Sequence, residues 1–87
     1  MNYIDGQIIS GEFDSGTGVF SLKKVKNFYT ETSLKQNQVH SLYNYLKLHE
    51  DETDGQIVTL YDQMLIRLSP GEVRQLLEEL EALQSLY

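Results

Sequence analysis

The sequence contains no cysteine. Disulfide staples, thiolate metal sites and cysteine nucleophiles are excluded with it. No apolar run approaches the roughly 20 residues of a membrane-spanning helix. The opening residues Met1-Asn2-Tyr3-Ile4-Asp5 lack both the basic region and the apolar run of a signal peptide, so the expected location is cytoplasmic. At 87 residues the chain is near the lower size at which one core holds a fold, and a single domain over residues 1–87 is expected. Small domains without covalent staples often gain stability from a partner chain, so a homodimer is expected.

Basic residues are scarce in one half only. Residues 1–49 carry five lysines against four acids, whereas residues 50–87 carry nine acids against Arg67 and Arg74. The net charge of −6 therefore comes from the second half, which disfavours nucleic acid and anionic membranes and favours basic partners.

The last quarter organises the chain. Ser69-Pro70-Gly71-Glu72 combines an N-cap serine, a proline whose missing N–H costs nothing in the first turn, and the glutamate of a capping box. Leu68 and Val73 occupy the two staple positions around it. Val73, Leu76, Leu77, Leu80, Leu83 and Tyr87 then form an apolar stripe, with Glu78, Glu79 and Glu81 read as lying off it. The regularity of that stripe exceeds what a small sheet readily covers.

Before it, residues 7–13 read as a strand with Ile9 and Phe13 on one face. Residues 14–18 form a turn, and residues 19–22 return as the second strand of a hairpin. The alternation breaks at Lys23-Lys24-Val25-Lys26, a bulge or a lysine-protected edge. Residues 27–32 read as a loop, and Ser33-Leu34-Lys35-Gln36 as a second capping box. Val39, Leu42, Tyr43 and Leu46 form the buried stripe of a first helix, with Tyr45 and Leu48 beside it. After the acidic loop of residues 50–55, residues 57–61 and 64–68 pair through a turn at Asp62-Gln63, placing Ile57 opposite Leu68 and Thr59 opposite Ile66. Both faces of that hairpin are largely apolar, so both should be covered. Asp5-Gly6-Gln7-Ile8 recurs as Asp54-Gly55-Gln56-Ile57, a match of four residues that turn chemistry explains as well as duplication does. The expected class is α+β, a small antiparallel sheet of about four strands with two helices, in the order β-β-α-β-β-α.

Three stretches carry residues suited to chemistry. Glu50, Glu52, Asp54 and Gly55 imitate the first half of an EF-hand loop, but Tyr61 stands where the bidentate glutamate belongs, so no metal site is expected. His40 and His49 are the only groups titrating near neutrality, nine residues apart, with no nucleophile at a workable spacing. No enzymatic activity and no cofactor are expected. Lys23, Lys24, Lys26 and Lys35, with Phe28 and Tyr29, offer a nucleic-acid surface, the alternative reading.

The preferred reading is a protein-interaction module: a regulator, adaptor or inhibitor that binds another protein. Six tyrosines in so short a chain suit an interface. The candidate contact residues are Tyr45, Leu48, Glu78, Glu79, Glu81, Leu83 and Tyr87. An acidic helix face can also imitate a nucleic-acid backbone, by analogy with small inhibitors that phages and mobile elements encode.

Overall fold

The computed structural model describes residues 2–59 and 65–87. The fold is α+β, with the order β1 (Asn2–Asp5), β2 (Ile9–Asp14), β3 (Val19–Val25), β4 (Phe28–Lys35), α1 (Gln36–Leu48), β5 (Gln56–Thr59), β6 (Leu65–Leu68) and α2 (Pro70–Gln84). Strands β1 to β4 make one antiparallel sheet in sequence order, and β5 and β6 a separate two-stranded sheet.

Two strands more than the sequence pattern indicates precede α1. Strand β1 is a short edge strand that pairs Ile4 with Gly11 and Asn2 with Phe13. Strand β4 replaces the loop expected at residues 27–32. It follows a two-residue turn in which Lys26 takes φ +55°, a conformation that glycine usually supplies in such turns. A tertiary contact holds it: the Lys26 ammonium donates to the Arg67 carbonyl at 2.9 Å and to Glu72 at 3.1 Å. Strand β3 consequently lies between β2 and β4, so its lysines are not on an edge strand. The register shift expected near Lys23 is present between Leu22 and Lys24.

Pairing of Ser33 with Ser21 and of Lys35 with Val19 draws the expected second cap into the sheet. Helix α1 therefore starts later, at Gln36, where the Gln38 carboxamide oxygen accepts from the Lys35 backbone N–H at 2.8 Å. At α2 the expected cap is present, with Glu72 N–H donating to Ser69 Oγ and Ser69 N–H to Glu72 Oε1. Leu68 and Val73 are both buried around it.

The core gathers Ile9, Phe13, Phe20, Leu22, Val25 and Leu34 from the large sheet and closes them against both helices and the inner face of the small hairpin. Val73, Leu76, Leu77, Leu80 and Leu83 are all buried there, so the α2 stripe is covered within the chain and has no surplus length. The two Asp-Gly copies occupy unlike places. Gly6 lies in the β1–β2 connection, where a Cβ would strike the Glu79 carboxylate, whereas Gly55 enters β5 at φ +74° against the Leu68 carbonyl. No repeated unit surrounds them, since four strands precede α1 and two precede α2.

Candidate contact surface

The β5–β6 hairpin sets Ile57 opposite Arg67 and Val58 opposite Ile66, one residue out of the expected register. The expected turn at Asp62-Gln63 and the flanking strand residues Leu60, Tyr61 and Met64 lie outside the described residues. A one-residue slip exchanges the two faces of a strand. Val58, Ile66 and Leu68 therefore face the core, while Ile57 and Leu65 remain 54% and 67% exposed. The outer face expected to be covered is open.

Helix α1 buries Val39 and Leu46 and half-buries Leu42 and Tyr43, the expected stripe. Ser41, Tyr45 and Leu48 follow at i, i+4 and i+7 on the flank of that stripe. Tyr45 is 43% and Leu48 83% exposed. Between this flank and β5 runs a groove of about 310 Å³ lined by Leu34, Ser41, Leu42, Tyr45, Ile57, Val58 and Thr59. Its floor is apolar and its rim carries hydroxyls.

The loop joining α1 to β5 is the acidic one, and it is tied to the groove through Tyr45. The Tyr45 hydroxyl donates to Gln56 Oε1 at 3.0 Å, and Gln56 Nε2 in turn donates to Glu52 and to the Gly55 carbonyl. His49 Nδ1 meets Glu52 Oε1 at 2.7 Å, and the His49 ring lies 4.7 Å from that of Tyr45. The hydrogen bond from His49 holds the Glu52 carboxyl below its usual range. Lys47 pairs with Glu50 at 3.1 Å, leaving Asp51 and Asp54 exposed with no ion-pair partner among the described residues. No group of three or more His, Asp or Glu side chains is placed to hold a metal ion among the described residues.

The other candidate contact residues divide. Glu78 is exposed. Glu81 is exposed and accepts from the Tyr43 hydroxyl at 2.5 Å, an inter-helix bond that raises the tyrosine pKa. Leu83 is fully buried. Tyr87 is half-buried, with its ring edge-on to Phe13 at 4.8 Å and its hydroxyl donating to the Leu34 carbonyl at 2.7 Å.

Glu79 departs furthest from expectation, being only 8% exposed. Its carboxylate accepts from the backbone N–H groups of Gln7, Ile8 and Ile9 at 2.9, 3.1 and 2.9 Å, and from Gln75 Nε2 at 2.7 Å. The three backbone donors lie in the β1–β2 connection and at the first residue of β2, so the residue ties α2 to the sheet instead of presenting charge to a partner. Tyr45 and Leu48 are thus exposed, as are Ile57, which the expected register places on the core face, and Leu65, whose face is expected to be covered.

The lysines of β3 and its turn are engaged: Lys23 with Glu31 at 3.9 Å, Lys24 over the Tyr29 ring at 5.5 Å, and Lys26 with Glu72. Phe28 and Tyr29 are exposed beside them. Among the described residues no helix is long and apolar enough to cross a membrane. No protein-family model matches this chain, and neither a curated protein nor a solved structure matches it.

Proposed function

We propose that this chain is a protein-interaction module, a regulator, adaptor or inhibitor that acts by binding and not by catalysis, with the α1–β5 groove as its contact surface. The observation that carries this reading is the open outer face of the hairpin. Tyr45, Leu48, Ile57 and Leu65, on α1 and the small hairpin, are four of the seven large apolar side chains exposed among the described residues; the other three, Tyr3, Phe28 and Tyr29, lie on the four-stranded sheet. Such a patch beside polar rim groups is the usual anatomy of a binding face. The cytoplasm is the location proposed with it, on composition alone.

The test is affinity capture from the cells that make the protein, with the parent beside a Leu48→Ser, Ile57→Thr double variant and a Lys23→Glu, Lys24→Glu double variant. Each changes only exposed or half-exposed side chains. A protein held by the parent and the lysine variant but lost from the groove variant supports the reading. Capture that survives the groove variant refutes it.

Exposure of Tyr29 and Phe28 beside Lys24 favours one second reading, a nucleic-acid surface on the β3–β4 hairpin. An electrophoretic mobility assay separates the two. Salt-sensitive DNA or RNA binding lost in the lysine variant would establish the alternative.

A further inference from the structure

Three consecutive residues of β5 line the groove: Ile57, Val58 and Thr59. Successive side chains of a strand point to opposite faces. Consecutive residues therefore line one cleft only where the strand presents its edge to it. Among the described residues β5 pairs with β6 alone, so that edge carries a row of backbone groups without a strand partner. The same groove is lined by Leu34, Leu42 and Tyr45, on β4 and α1. An edge facing an apolar wall suits an added strand: its backbone bonds to the edge while alternate side chains enter the cleft.

The charge around the cleft selects the sequence of that strand. Residues 50–54 hold four acids, Glu50, Asp51, Glu52 and Asp54, and they sit where the chain passes from α1 into β5. Glu50 and Glu52 pair with Lys47 and His49, but Asp51 and Asp54 have no ion-pair partner among the described residues. A second copy of the chain would bring the same acids and a further net charge of −6 to this site. Resting on the contact surface proposed above, we infer that the groove receives an extended segment of a different protein. It adds as a third strand to the edge of β5, with alternate apolar residues against Leu34, Leu42 and Tyr45 and with Lys or Arg beside Asp51 and Asp54.

The test is selection of displayed random linear peptides on the immobilised chain, followed by synthesis of an enriched sequence and fluorescence anisotropy. The expected peptides alternate apolar residues and carry Lys or Arg toward one end. Both would be exposed pairs, so Asp51→Asn with Asp54→Asn should weaken binding by about two- to thirtyfold at low salt, and less as salt rises. Ile57→Thr should weaken it more than tenfold. N-methylation of the peptide at every second residue should abolish binding for one alternating set and spare the other, because only one set of N–H groups faces β5. Three results overturn the added strand while leaving the groove as the contact surface: peptides sensitive to Ile57→Thr that lack basic residues, peptides that tolerate N-methylation at every position, and a homodimer that Ile57→Thr dissociates. Peptides indifferent to Ile57→Thr, or no enrichment over a blank support, overturn both.

Discussion

Replacing Glu79 by glutamine is the sharpest test of how the two halves of the chain are joined. One carboxylate takes three backbone N–H donors from residues 7–9 and one from Gln75. Hydrogen bonds to a charged group contribute roughly 1.5–3 kcal/mol each, and a buried donor left unpaired costs about 1–3 kcal/mol. Glutamine keeps one oxygen but turns an NH₂ donor toward donors, so at least one N–H loses its acceptor. The expected loss is about 2–3 kcal/mol. That is a large part of the roughly 4–13 kcal/mol available to a domain of 87 residues. Urea unfolding followed by circular dichroism should show the midpoint falling by about 1–2 M with little change in slope. Amide exchange should quicken at residues 7–9 before the rest of the sheet. Glu78→Gln, one residue away and exposed, is the control and should stay within about 0.5 kcal/mol of the parent. A Glu79→Gln protein equally close to the parent, with residues 7–9 still protected, would refute this account of the contact.

Leu83→Ala removes a fully buried side chain and should cost about 2–5 kcal/mol by the same amount at every protein concentration; a loss that grows on dilution would place Leu83 between subunits. Gly55→Ala and Gly18→Ala both force alanine to positive φ, near +74° and +66°, but only at Gly55 does the new Cβ meet backbone. Gly18→Ala should therefore cost about 1–2 kcal/mol, and Gly55→Ala distinctly more in the same urea titration. Burial pushes the Tyr87 hydroxyl from 10.0 up to about 12. Because the folded value lies above the unfolded one, this contribution is complete below pH 10 and is lost as pH rises toward 12. Tyr87→Phe removes the bond to the Leu34 carbonyl, should cost about 1 kcal/mol at neutral pH, and should flatten the fall in urea midpoint across that alkaline window.

Much of the candidate surface was visible as residues but not as a surface. Tyr45 and Leu48 follow from helical spacing, since they fall beside the stripe of Val39, Leu42 and Leu46. The exposure of Ile57 does not, because strand register depends on turn length, and Asp62-Gln63 carries no strong turn preference; the Leu65 face is legible, but not that it stays uncovered. Glu79 was read as solvated because glutamates usually are. It sits at i+3 from Leu76 and i−4 from Leu83, on the margin of the buried stripe, which was the available hint. What makes it buried is a set of backbone N–H groups 70 to 72 residues away in sequence.

The sequence by itself determined what local chemistry can enforce. The Ser69–Glu72 cap starts α2, the periodicities of 39–46 and 73–83 form two helices, the glycine-bearing turn joins β2 to β3, and the whole is α+β. Each depends on groups within a few residues of one another, so its energy is present in the segment itself. The tertiary structure alone decided the rest. Strand β4 forms where a loop was expected because β3 offers it partners and because Lys26 is anchored to Arg67 and Glu72 across the chain. Glu79 turns inward because residues 7–9 present three donors to it. The outer face of β5–β6 stays open because both helices are engaged elsewhere in the core. The β3–β4 pairing itself lies within residues 19–35, but the anchoring of Lys26 and the donors to Glu79 are long-range contacts that depend on the chain having already closed on itself.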